Sequence, residues 1–141
     1  MCNIPRCAKI LEQKPFFLIF IDVDILDCHG VDRLSFEEKT IEEDGTKYNL
    51  KLLTLKNASI AFFYNGDMQL GTLAISMPKS VDDIPMTSSV LIGGKYMIAS
   101  RFLAEKIATK TNKMSLVSVF TTLPEKDALR TFTKILDKNL K

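Results

Sequence analysis

The sequence predicts an α+β fold, a largely antiparallel β-sheet carrying two main helices, and three features predict it. Short apolar runs broken by turn residues fill the chain from Tyr48 to Met77, the pattern of successive strands. A helical repeat follows from about Tyr96 to Thr111, and a second runs from Thr122 to about Asn139.

Each element has a local reason. Met1 to Lys14 is polar, with Ile10 and Leu11 as possible anchors, and Phe16 to Val23 is a strand candidate. Glu37 to Gly45 is acidic with a single isoleucine, so it has little to bury and is expected to be a flexible loop. Tyr48, Leu50 and Leu52 alternate with Asn49, Lys51 and Leu53 as one strand; Lys56-Asn57 turns into the next, Ser59 to Tyr64. Asn65-Gly66 is the sharpest hairpin signal, because a type I′ turn needs positive φ at both central residues. It leads toward the strand Leu70 to Met77, which Pro78 stops. Asp82-Asp83-Ile84-Pro85 reads as a turn with Ile84 held extended, followed by the strand Met86 to Ile92 and a break at Gly93-Gly94.

In the first helix, Ala99, Phe102, Leu103 and Ile107 are expected on the buried side, with Arg101, Glu105 and Ala108 outside it. Asn112 suits the left-handed turn that ends a helix, and Met114 to Phe120 is the next strand. Thr122-Leu123-Pro124-Glu125 matches a capping box in which Thr122 accepts from the Glu125 amide. Behind it, Ala128, Leu129, Phe132, Ile135, Leu136 and Leu140 form one apolar stripe, and Lys126, Arg130, Lys134 and Lys138 fall outside it.

With 141 residues and 46% apolar content, one domain over 1–141 is the economical reading, since two would each be marginal. The longest early apolar run, Phe16 to Ile21, is far short of a membrane span, and Glu12 and Lys14 interrupt anything resembling a signal peptide. The expected location is therefore intracellular, cytoplasmic or also nuclear. Cys2, Cys7 and Cys28 are odd in number and lack a Cys-x-x-Cys arrangement, which argues against a disulfide framework. The net charge of +2 divides unevenly: residues 1–94 carry −4 and residues 95–141 carry +6. The basic positions are spread over two helices without interleaved exposed aromatics, so an acidic protein surface is a better expected partner than nucleic acid.

Chemistry is not encoded in any recognisable form, and neither a catalytic residue, a cofactor nor a metal is expected. Cys28-His29 are adjacent and would face opposite ways on a strand; Asp22, Asp24 and Asp27 lack the further oxygens and glycine turn of a calcium loop. Gly93-Gly94-Lys95 lacks the frame of a phosphate loop, and Asp82 and Asp83 are neighbours in a turn rather than carboxylates across a cleft. The informative feature is a sheet apolar on both faces. Ile60, Phe62, Phe63, Leu73 and Ile75 are the candidate residues of a dimer face, which another sheet would bury, the alternative being a sheet sandwiched entirely within this chain.

One stretch has a wider likeness. Asp83-Ile84-Pro85, Thr87-Ser88-Ser89-Val90-Leu91 with Gly93, Leu103-Ala104, and Ala108 to Lys113 running into Leu116 to Phe120 resemble, in order and spacing, the proteasome assembly chaperone four family. The likeness covers about the last two thirds of the chain and is poorest over His29 to Lys47. The resemblance implies a non-catalytic α/β protein that pairs with proteasome assembly chaperone three and binds a proteasome alpha subunit, alpha five, during assembly of the alpha-ring of the 20S core particle. Arg101, Lys106, Lys110 and Lys113, on or just after the helix that carries the likeness, are the candidate client-binding surface. The alternative is a structural dimer or adaptor that uses the same sheet face for an unrelated protein.

Overall fold

This computed structural model describes residues 34–79 and 87–140, and among these described residues the regular structure is six strands and two helices. The strands are β1 (Phe36–Glu43), β2 (Thr46–Thr54), β3 (Ala58–Asn65), β4 (Thr72–Ser76), β5 (Ser88–Ile92) and β6 (Met114–Phe120). The helices are α1 (Met97–Thr111), between β5 and β6, and α2 (Glu125–Asn139), after β6. Residues 35–141 form one compact unit by their contacts. The expectation of one domain over 1–141, the strand Phe16 to Val23, the Cys28-His29 pair and the Asp82 to Pro85 turn reach residues outside those described.

The strand order is β1-β2-β3-β6-β4-β5, and every neighbouring pair is antiparallel except β3 with β6. The α+β class with a mostly antiparallel sheet is thus as expected. The hairpin across Asn65-Gly66 is not. Gly66 does take the positive φ of 71° that the dipeptide favours, but β6 lies between β3 and β4, so the turn starts a crossing connection. Gly71 marks where that connection presses on β6: a Cβ there would fall 1.9 Å from the Val119 carbonyl oxygen, so no larger residue fits. Its amide donates to Ser118 Oγ at 3.0 Å.

The acidic segment Glu37 to Gly45 is also corrected. It is β1 and its turn, in register with β2 from Phe36 opposite Leu53 to Glu43 opposite Thr46. Acidity was misleading because β1 is an edge strand, where charged side chains stay hydrated and discourage pairing with another chain. Asp44 and Gly45, both at positive φ, make the two-residue turn. Only Ile41 reaches the core cluster from this strand.

Both helices lie on one face of the sheet. Tyr48, Leu50 and Leu52 of β2, Ala61 and Phe63 of β3, Ala74 of β4, and Val117 and Val119 of β6 pack with Ala99, Leu103, Ala104 and Ile107 of α1 and Phe132, Ile135 and Leu136 of α2. Phe132 is fully buried, 5.2 Å from the Phe63 ring and 6.1 Å, edge-on, from Tyr48. The α2 stripe is as its periodicity predicts, but α1 differs at two positions. Ala108 is buried, whereas Phe102 is 44% exposed, because small residues at 99, 100, 104 and 108 bring α1 close to the sheet and leave the larger ring on the outer side.

Caps show the same interplay of local rule and tertiary choice. Asn112 ends α1 at φ 51°, as expected. The capping box at α2 does not form: Thr122 instead bonds Asn65, with Asn65 Nδ2 donating to its Oγ1 at 3.1 Å. Glu125 turns outward and accepts from the α1 amides of Ile98 at 2.7 Å and Ala99 at 3.2 Å. One helix thereby caps the other, and the carboxylate sits where the positive end of α1 favours it. Glu125→Ala is expected to lower stability by about 1–2 kcal/mol in urea unfolding, with Glu125→Gln retaining part of it; an unchanged midpoint for the alanine variant would contradict this cap.

Candidate protein-binding surfaces

The strand pairing assigns every sheet residue to a face. Residues in register share a side, so Phe36, Leu53, Ile60, Leu116 and Ile75 form one apolar row across β1, β2, β3, β6 and β4. The next row reads Glu38, Lys51, Phe62, Ser118, Leu73 and Ile92. Both rows lie opposite the helices, and among the described residues no helix packs on them. Leu53, Ile60, Phe62, Leu73, Ile75 and Leu116 are half-buried, and Phe36 and Ile92 are exposed. At the β1 end, Lys51 and Glu38 form an ion pair at 2.7 Å that raises the lysine pKa, so the apolar rows have a charged border.

Of the candidate face residues, Ile60, Phe62, Leu73 and Ile75 fall on this side. Phe63 does not. It is 1% exposed and packs on Phe132 under the helices, because adjacent strand residues point to opposite faces. Leu116, Leu53 and Phe36 belong to the apolar face and were missed, since their alignment depends on which strands are neighbours.

The basic candidates are dispersed. Lys106 and Lys110 reach the same carboxylate, Asp137 of α2, at 2.7 and 3.0 Å, and Lys110 also donates to the Leu140 carbonyl at 2.6 Å. Lys113 donates to the Leu55 carbonyl at 2.8 Å, closing the β2–β3 turn. Only Arg101 points away from this cluster, its Nε donating to Ser88 Oγ at 3.1 Å beside the Ser88–Glu105 contact. These four residues therefore do not form one free cationic patch: three tie α1 or its end to other elements.

The lysines pull the Asp137 pKa below its ordinary value, Lys106 contributing most. A lowered folded-state pKa stabilises at pH values above the unfolded pKa, and that contribution disappears as pH falls through the folded value. Asp137→Asn is expected to be less stable than the parent at neutral pH, with the gap closing on acidification; a gap that widened in acid would contradict the pairing. Glu43 behaves alike, its pKa lowered chiefly by Lys134, against desolvation, with a bond from Thr131 also lowering it.

Gly93-Gly94-Lys95 precedes α1, where an anion site would form if the helix amides were open. The Glu125 carboxylate already fills that role for Ile98 and Ala99. Tyr96 further fixes the junction: its hydroxyl donates to the Thr121 and Leu123 carbonyls, the second at 2.9 Å, and its amide donates to Thr72 Oγ1 at 3.3 Å. Among the described residues, no helix is long and apolar enough to cross a membrane.

Comparison with family models and with curated proteins finds no match. Among solved structures, the chain is similar to one from the crystal structure of a novel chaperone complex for yeast 20S proteasome assembly. The TM-score is 0.57 at 13% identity, over 74% of this chain and 91% of that one. At this identity the shared property is the fold, which extends over nearly the whole length of the yeast chain.

Proposed function

We propose that this protein is a non-catalytic proteasome assembly chaperone that works by pairing with a second protein through the sheet face that no helix covers among the described residues. The observation that carries the reading is the apolar row from Phe36 to Ile75 on a chain whose fold is that of a component of a yeast 20S proteasome assembly chaperone complex. An antiparallel sheet with helices on one side normally wets the other, and five aligned apolar side chains are unfavourable in water unless another surface removes them from it. A second sheet, stacked face to face, is the natural complement.

In this reading the partner is a protein like proteasome assembly chaperone three, and the client is a proteasome alpha subunit, alpha five being the one implied by the sequence likeness. The complex holds the subunit during alpha-ring assembly in the cytoplasm, or also in the nucleus. It leaves when later subunits claim the same surface, so mass action and steric exclusion govern occupancy.

Sedimentation and pull-down together test it. Alone at micromolar concentration, the chain is expected to self-associate; co-expressed with the sister chaperone it should run as a soluble one-to-one complex that retains an alpha subunit. A stable monomer that ignores the sister protein would overturn the pairing, and a pair that retains no alpha subunit would overturn the assembly role.

A further inference from the structure

The two edges of the sheet differ. β1, at one edge, has five charged residues in eight, while β5, at the other, reads Ser88-Ser89-Val90-Leu91-Ile92 and has neither charge nor proline. Charges on an exposed edge discourage another strand from adding to it, and β5 lacks that guard. Among the described residues, β4 is its one strand neighbour.

Backbone direction says what kind of surface covers such an edge. The Met77 amide donates to the Thr87 carbonyl at 3.1 Å, and Ser89 stands opposite Ile75 two residues further on. Backbone groups of an antiparallel pair alternate in direction, so Thr87 and Ser89 turn theirs toward β4, and Ser88 and Val90 turn theirs away from it. The outward amides and carbonyls have the spacing of an extended chain, so their complement is another strand. The register shift between Ala74 and Leu73 leaves Leu91 without an opposite residue, so the regular edge is short.

This short edge is its own complement. In an antiparallel pair of β5 strands centred on Ser89, Ser88 of one copy lies opposite Val90 of the other, and the outward groups of both copies meet in about four hydrogen bonds. Serine and valine set no like charges against each other, whereas two β1 strands would crowd glutamates together. The helices leave room. α1 packs mainly over β4 and β6, and the two β4 strands would lie three strand spacings apart, about 14 Å, wider than the distance between packed helices. We infer that the edge of β5 pairs with β5 of a second copy of this chain, joining two sheets into one continuous sheet. Such a two-fold contact closes at two copies. Because Ser89 stands in register with Ile75, and Ile92 with Leu73, the apolar rows of the two copies would run on across the seam. The inference does not rest on the sheet-face pairing, and it leaves that face open to a partner.

So short a ladder makes a weak dimer, with a dissociation constant on the order of 10–100 μM. The test is sedimentation equilibrium of the full-length chain carrying Phe62→Glu, which disables the sheet face, over about 5–500 μM. A monomer–dimer equilibrium that stops at two copies is expected. In the same background, Ser89→Lys and Ser89→Glu each place like charges opposite one another at the seam, and each should weaken the dimer at least about tenfold. Mixing the two variants in equal amounts should restore dimers, because lysine then faces glutamate. A Phe62→Glu chain that stays monomeric throughout would overturn the inference, as would Ser89 variants that dimerise like their parent or a mixture that shows no recovery. Pairing with the sister chaperone reads the sheet face and the Ser89 mixture reads the edge, so the two readings fail separately.

Discussion

Phe132→Ala is expected to lower the unfolding free energy by about 3–5 kcal/mol, the largest stability loss of any single truncation considered for this chain. The ring is fully buried and joins three layers of contact: Phe63 on β3, Tyr48 on β2, and the body of α2 from which it projects. Removing it loses the transfer energy of an aromatic side chain and leaves a cavity between helix and sheet that rigid strands close poorly. Because α2 also supplies Glu125 to cap α1 and Asp137 to bind Lys106 and Lys110, loosening one helix weakens the other. Urea unfolding at fixed protein concentration measures the effect as a shifted midpoint. A loss below about 1 kcal/mol would mean that α2 is not docked through this ring.

Local rules were legible where local physics decides. The α2 stripe from Ala128 to Leu136, the left-handed end of α1 at Asn112 and the strand Met114–Phe120 all follow from spacing and side-chain type. The errors arose where a distant element chose among local options. Asn65-Gly66 turns the chain as its residues favour, but β6, about 50 residues further along, occupies the place a hairpin partner would take. Glu37 to Glu43 carries a single apolar residue, Ile41, because it pairs at an edge, and composition cannot separate an edge strand from a loop. Thr122 and Glu125 have the right spacing for a capping box, yet each finds a partner from another element.

The candidate surfaces divide in the same way. That the sheet is apolar on both sides was readable from β3 and β4 alone, and period-two geometry separates Phe62 from Phe63 once one residue is known to face the core. Which side the helices take is a tertiary fact. The basic residues of α1 were misleading for a related reason: Lys106 and Lys110 lie one helical turn apart, so one carboxylate on α2 engages both, and a charge count does not contain that carboxylate's position.

Adjacent residues therefore offer the sharpest functional test. Phe62→Glu is expected to leave the fold intact and to abolish pairing with the sister chaperone, while Phe63→Glu is expected to unfold the chain. At position 62 the new carboxylate stands opposite Lys51 on the sheet face away from the two helices, where water and an ammonium group both favour it. Covering that face with a partner would strip its hydration, so association should weaken at least about a hundredfold, close to 3 kcal/mol. At position 63 the same carboxylate would enter the core against Phe132, where no cation among the core residues can meet it, and the penalty exceeds the few kcal/mol that hold a small domain together. Circular dichroism separates the two outcomes, and size-exclusion chromatography of the co-expressed pair reads association. If Phe62→Glu folds and still pairs with undiminished affinity, the row running from Phe36 to Ile75 is not the pairing surface, and the proposed stacking of two sheets fails with it.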